Sequence, residues 1–264
     1  MTASLRAGRL VFTRQAKAAL ADPGPSFVLP AAPPLLMIVV FTAVFDGLAE
    51  DSGFRDGQFG SATWDAFLVP GALVLVALLG AGYTSASLAQ DLRRGYAERM
   101  GLAGANAAAM LGGRFAFEAV RLIPGTLLVL GVGLLVGAET NNGLLGVAVT
   151  VLLIALLGLA FTGIFYLVAI RTKDPQTPFT MQPLGMPFAF LSSALVPIAI
   201  MPGWSSAIAR ANPVSVVVDA TRNAMIGDLW SRELGAAIAI LVSWSLVAVA
   251  VGIAVLAREL RGAR

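Results

Sequence analysis

The densest run of charge in the chain is Asp91-Leu92-Arg93-Arg94-Gly95-Tyr96-Ala97-Glu98-Arg99-Met100. Both signs occur in it, and Leu92, Tyr96 and Met100 recur every fourth residue, which gives a helix one apolar stripe. Such a helix would offer paired ionic contacts to a soluble protein; the same composition also suits a solvated loop. Arg114, Glu118 and Arg121 form a second group, spaced so that one helix face carries all three and lets them pair. Asp219 and Arg222 form a third, at i and i+3. Several kinds of chemistry are excluded. The chain has no cysteine and no histidine, so it has no disulfide, no thiol nucleophile, no zinc site built on those ligands and no imidazole acid–base pair. No metal site is expected. Ser192 and Ser193 lack a base nearby in sequence and read as helix-packing residues. The only lysines, Lys17 and Lys173, follow no glycine-rich loop, so a phosphate-binding loop is missing. The chain is therefore expected not to be an enzyme itself. If ATP is used, another chain binds it.

These groups need elements to hold them, and composition says which. Fifty-eight per cent of the 264 residues are apolar and 12% are charged, about half the charge of an ordinary soluble domain. The charges fall in short clusters between long uncharged stretches. A membrane span needs about 20 apolar residues. Six stretches meet or approach that length: 23–45, 67–90, 115–138, 143–170, 179–198 and 234–257. The fifth belongs to a longer uncharged run that Pro197, Pro202 and Gly203 break. Residues 199–232 are read as an outer segment that dips back into the membrane, with Pro213 between two short helical pieces. The expected fold is an all-α membrane protein with six spans in a single domain, 1–264.

Basic residues set the expected orientation. With both termini inside, only Arg55, Arg210, Arg222 and Arg232 of the 18 lysines and arginines face outward, and the other fourteen lie inside. Trp64, Trp204 and Trp230 fall near the outer boundary, as an aromatic belt would. The net charge of +3 is spread over separate loops, a topological signal rather than a nucleic-acid surface. The first 22 residues contain no long apolar core, because Arg6, Arg9, Arg14 and Lys17 interrupt it. They read as an amphipathic interfacial helix and not as a cleaved leader. On its wheel Arg6, Arg9 and Lys17 share one face, with Leu5, Val11, Phe12 and Ala19 opposite. Gly133 and Gly137 form a G-x-x-x-G suited to close helix contact. Apart from Glu118 and Arg121 near the inner end of span three, the spans hold almost no ionisable group, which argues against a proton-coupled carrier.

Several blocks resemble the ABC-2 type transporter permeases, most closely the daunorubicin-resistance type of actinobacteria. They are Phe67-Leu68-Val69-Pro70-Gly71; Asp91 with Gly95, Glu98 and Arg99; Gly113-Arg114; Phe190-Leu191-Ser192-Ser193; and Val196-Pro197. Met201-Pro202-Gly203-Trp204, Asn212-Pro213-Val214 and Val218-Asp219-Ala220 with Arg222 complete the series. The resemblance implies a bacterial plasma-membrane permease with six spans and both termini cytoplasmic. It implies that 91–114 is a coupling loop, in which Asp91, Arg93, Gly95, Glu98 and Arg99 serve contact with an ATPase. It marks Pro202, Gly203, Trp204, Asn212, Pro213, Asp219 and Arg222 as the outer re-entrant motif. The implied partners are two copies of a separate ATPase, which would bind ATP and magnesium, and a second permease, identical or paralogous. The implied cargo is an amphipathic drug, natural product or lipid moving outward. Where the family often has a basic residue, a Leu-Pro pair and another arginine, this chain has Gly101, Ala103-Gly104 and Ala107. That departure implies a less basic contact, or one shaped for a particular partner. Two other functions fit the sequence: a permease for cell-envelope glycan or glycolipid, and a membrane assembly factor without transport.

Overall fold

Most apolar runs of spanning length become long helices, even with Pro70 or Pro124 inside them. The computed structural model describes residues 2–51 and 64–262, and every regular element in them is helical. The expected outer loop with Arg55 and its acidic neighbours lies largely outside the described residues. Helix α1 (Thr2–Ala21) leads through a π-helical turn (Gly24–Val28) into α2 (Leu29–Asp51). Helix α3 (Trp64–Arg93) is followed by the short α4 (Tyr96–Leu102), then α5 (Ala107–Val136) and α6 (Gly143–Thr172). Short pieces come next: α7 (Thr177–Met181), α8 (Met186–Phe190), α9 (Gly203–Ala211) and α10 (Pro213–Ile226). Helix α11 (Arg232–Gly262) completes the described chain. Among the described residues five helical stretches are long and apolar enough to cross a membrane: Gly24–Val44, Ala66–Arg93, Ala107–Val136, Gly143–Thr172 and Arg232–Arg261.

Helix α3 is the axis of the bundle. Of its most apolar stretch 89% is buried, against 22% for α11, which lies at the periphery. It packs against α2, α5, α6 and α10, while α11 packs chiefly on α6. Leu73 of α3 joins Leu122 and Leu130 of α5 and Ile154 and Leu157 of α6 in one apolar cluster. A second cluster, with Leu88, Leu111, Tyr166 and Leu256, fills the end of the bundle beside α4.

Two boundaries differ from the sequence reading. Helix α5 starts at Ala107 rather than at 115. The Asn106 side chain caps it there, accepting a hydrogen bond from Ala109 N at 2.8 Å. Arg114 is thus a helical residue and not part of a loop. At its other end α5 stops at Val136, and Gly137 takes φ 124° as the capping residue. Gly137 therefore terminates the helix, and Gly133 of the G-x-x-x-G makes a close helix contact, against Val69 of α3.

The straight helix expected over 179–198 is replaced by a broken one. Helix α7, a 3-10 turn (Gln182–Gly185) and α8 follow one right-handed path. Pro183 and Pro187 each remove a backbone donor from it. The path leaves helical geometry at Leu191 (ψ 38°), and only a 3-10 turn, Ile198–Ile200, follows before Pro202.

Candidate functional site

Helix α4 hangs beyond the end of α3 on a sharp turn. Gly95 takes φ 67°, a left-handed conformation that glycine adopts without a Cβ penalty. That turn ends the continuous helix that the Leu92, Tyr96, Met100 spacing predicted. The apolar side survives the break: Leu92 and Ala97 are buried, and Met100 packs against the cluster at this end. Arg93, Arg94, Glu98 and Arg99 are exposed. Helix α4 is thus a short amphipathic rod with one face fixed to the bundle and a charged face open.

The five predicted coupling residues divide accordingly. Gly95 makes the turn, and Arg93, Glu98 and Arg99 offer charge. Arg99 also donates to the Arg94 carbonyl at 3.2 Å. Asp91 does something else. It is buried at the last turn of α3 and binds two arginines from distant parts of the chain. Arg14 of α1 donates from Nη1 and Nη2 to its two oxygens, at 2.7 and 2.6 Å, a bidentate geometry. Arg114 of α5, itself buried, pairs with the same carboxylate. One acid thereby ties three helices together directly above α4. Hydrogen bonding to Asp91 raises the Arg14 guanidinium above its ordinary value. Arg14 also stands 3.9 Å over the Tyr96 ring, which connects α1 to the first residue of α4. The Gln15 amide is satisfied when its oxygen faces Arg114 (3.1 Å) and its nitrogen faces Ser87 Oγ (3.2 Å).

Helix α1 reaches this position because its buried stripe is Ala7, Val11, Gln15 and Ala19, spaced by four. It lies on α5, where Gly113 leaves room for the Gly8 carbonyl; a Cβ at 113 would collide with it. Leu5, placed on the apolar side by the sequence wheel, is instead 70% exposed.

One turn deeper, Glu118 and Arg121 pair within α5, and both are fully buried. Arg121 donates from Nε at 2.9 Å and from Nη2 at 2.6 Å to the two carboxylate oxygens. Its Nη1 donates to the Ser26 carbonyl at 2.6 Å. Pro30 has no N–H to offer that carbonyl from four residues on, so Arg121 supplies a donor at the π-helical turn joining α1 to α2. The Ser26 hydroxyl and Tyr83 Oη are 2.8 Å apart, which brings α3 into the same group. Sequence spacing suggested that 114, 118 and 121 would pair with one another; only 118 and 121 do, and Arg114 turns to Asp91. The roles of Arg14 and Arg114 were missed because their partner lies far off in sequence. One signal was present: Arg14 stands off the face shared by Arg6, Arg9 and Lys17.

At the opposite end of the bundle, Asp219 and Arg222 of α10 pair at 2.9 Å. Ser193 donates to the same Asp219 oxygen at 2.7 Å, and its N–H donates to Ser215 Oγ at 3.1 Å. Arg222 donates to the Ser193 carbonyl at 3.1 Å and lies 3.8 Å over the Phe67 ring of α3. Asn212, the single residue between α9 and α10, accepts from Val214 N at 3.0 Å. Its amide donates to the carbonyls of Phe188 (2.7 Å) and Leu191 (2.9 Å), where α8 ends. Pro213 opens α10, a position that needs no donor. Asn212, Pro213, Asp219 and Arg222 thus surround one joint. Pro202 and Gly203 start α9 instead, and Trp204 is 67% exposed.

Comparison with known proteins shows the family. The profile of the ABC-2 type transporter family matches residues 7–226, from α1 to the end of α10. The chain is 29% identical over 217 residues to the daunorubicin resistance ABC transporter permease protein DrrB1 of Streptomyces coeruleorubidus, covering 82% of this chain and 73% of that one. It is 26% identical over 203 residues to the probable doxorubicin resistance ABC transporter permease protein DrrC of Mycobacterium tuberculosis, covering 76% and 71%. No solved structure matches. A match over most of the chain, together with long apolar helices around a short exposed helix, places the protein in the ABC-2 type transporter family as a multi-pass membrane permease.

Proposed function

We propose that this permease moves amphipathic drugs, natural products or lipids outward, driven by a separate ATPase that binds ATP and magnesium. Two copies of the ATPase meet two permeases, the second being identical or paralogous. The observation that carries the reading is the placement of α4. Its charged face is open to a soluble partner, while Asp91 at its root holds Arg14 and Arg114. A push on α4 reaches α1, α3 and α5 together through that carboxylate. Helix α1 continues through the π-helical turn into α2, and Arg121 braces that turn.

In the proposed topology the path from Thr177 to Ile198 is the fifth of six spans, and both termini and α4 face the cytoplasm. Fourteen of 18 basic residues then lie inside. Helices α9 and α10 form the outer re-entrant element. Buried Val214, Val217, Val218 and Met225 support insertion of α10 among the spans.

The test is a charge reversal on the open face, Glu98→Arg with Arg99→Glu, in the permease purified with its co-expressed ATPase. In vesicles, ATP-dependent uptake of daunorubicin, used as a fluorescent amphipathic probe, is expected to fall at least about tenfold, the order of effect of losing a contact worth 1.4 kcal/mol. ATP hydrolysis continues. Unchanged uptake per ATP would refute contact through α4.

A further inference from the structure

We infer that the groove between α1 and the first turns of α5 is a site for one anionic phospholipid. The acyl chain lies along α5 and the phosphate meets Arg9. The inference needs only the membrane-spanning reading and does not depend on the ATPase.

The groove has a volume of about 500 Å³, within the range of ~300–1,000 Å³ usual for small-molecule sites. Its floor is almost wholly apolar because α5 presents Ala108, Gly112 and Ala116 outward at four-residue spacing, with Phe12 of α1 as one wall. A Cβ built on Gly112 meets nothing within 4 Å, so the space over that residue is open. Its polar lining residues are Ser4, Arg9 and Asn106; Asn106 donates to Ser4 Oγ at 3.2 Å, which leaves Arg9 as the one cation among the described lining residues. An apolar trough with a single cation in its lining fits one acyl chain of a lipid whose head is negatively charged.

The exposed surface of α1 says where that molecule comes from. Leu5 (70% exposed), Leu10 (63%) and Leu20 (73%) stand out from the protein alongside exposed Arg6, Arg9 and Lys17. Large apolar and basic side chains share one surface at the boundary between lipid headgroups and acyl chains. Among the described residues neither Arg6 nor Arg9 has a carboxylate partner, whereas Arg14 two turns on has Asp91. Their charge is available to a phosphate, which guanidinium binds with paired hydrogen bonds. The leaflet concerned is the one at the α4 end, the inner one in the topology proposed above.

The test uses the full chain in vesicles of phosphatidylcholine containing a minority of phosphatidylglycerol. A trace of either lipid carries a photoactivatable diazirine on its acyl chain, and labelled peptides are mapped. The phosphatidylglycerol probe is expected to label peptides covering 4–12 and 106–116 more strongly than the phosphatidylcholine probe. Arg9→Gln should reduce that labelling about fivefold, the weight of one basic residue at an anionic surface, and Gly112→Leu should remove it by filling the trough. If Gly112→Leu does not fold, Ala108→Leu on the same face replaces it. Equal labelling by the two probes would show ordinary annular lipid and overturn the inference. Unchanged labelling in the filled variant, or a chain-to-chain cross-link at Gly112→Cys in place of lipid, would overturn it as well.

Discussion

The two ends of this bundle are held together by different chemistry. At the α4 end the ties are ion pairs built on buried carboxylates. Asp91 grips Arg14 and Arg114, and Glu118 grips Arg121. At the α10 end the carboxylate, Asp219, is 36% exposed and is held by Arg222 and the Ser193 hydroxyl; further ties are neutral hydrogen bonds from Asn212 to the carbonyls of Phe188 and Leu191 and from the Ser193 N–H to Ser215 Oγ. The difference follows from what each end has to join. Prolines 183, 187, 197 and 202 leave carbonyls and turns to be satisfied around α8 to α10, and amides and hydroxyls do that at low cost. At the α4 end α1, α3 and α5 are each unbroken, and what must be specified is their arrangement relative to a short exposed helix. A buried carboxylate with two partners fixes that arrangement, because moving either partner leaves a charge without compensation.

This contrast can be broken by mutation, and the deepest charge should matter most. Glu118→Ala leaves Arg121 fully buried and unpaired, and is expected to destabilise the protein by ~3–5 kcal/mol, read as a loss of folded protein in thermal unfolding in detergent. Replacing both partners, Glu118→Gln with Arg121→Met, should recover most of that loss. A double variant as unstable as the single would show that the charges themselves, not their balance, hold the π-helical turn. Asp91→Ala follows at about 3 kcal/mol, since Arg114 is buried but Arg14 is 43% exposed and can rehydrate. Removing Arg14 alone should therefore cost about 1 kcal/mol or less.

At the other end the effects should be smaller. Asn212→Ala loses the cap of α10 and two hydrogen bonds to α8 carbonyls, with an expected cost of ~1–2 kcal/mol. A loss as large as that of Glu118→Ala would erase the distinction between the two ends. The smallest effect on stability belongs to α4 itself. Reversing Glu98 and Arg99, both exposed, should change unfolding by less than about 0.5 kcal/mol, while the proposed coupling predicts a large loss of uptake.

Much of this was legible in sequence because membrane helices announce themselves by length and apolarity. The apolar stretches 67–90, 143–170 and 234–257 fall inside the helices α3, α6 and α11. The fifth stretch shows where that signal fails. Its composition is apolar enough for a span, yet Pro183 and Pro187 inside it decide the backbone, as Pro197 and Pro202 do at its far end. The candidate site was half visible. The i, i+3 pairs 118–121 and 219–222 follow from helical spacing alone, as does the amphipathic character of α4. The Asp91 junction does not, since Arg14 lies 77 residues away and only the packing of α1 on α5 brings it there. Asp91 was singled out as a contact for a partner, but its carboxylate is buried among arginines of its own chain.

The central claim is that the Asp91 junction transmits motion of α4 to α1 and α5. Its most direct test is the double variant Asp91→Asn with Arg114→Gln, which removes both buried charges at once and leaves the exposed face of α4 intact. Uptake of the fluorescent amphipathic probe and ATP hydrolysis are measured in the same vesicles. The account predicts a folded complex that still binds and hydrolyses ATP but carries far less probe per ATP than the wild type. Wild-type transport per ATP from that variant would contradict it.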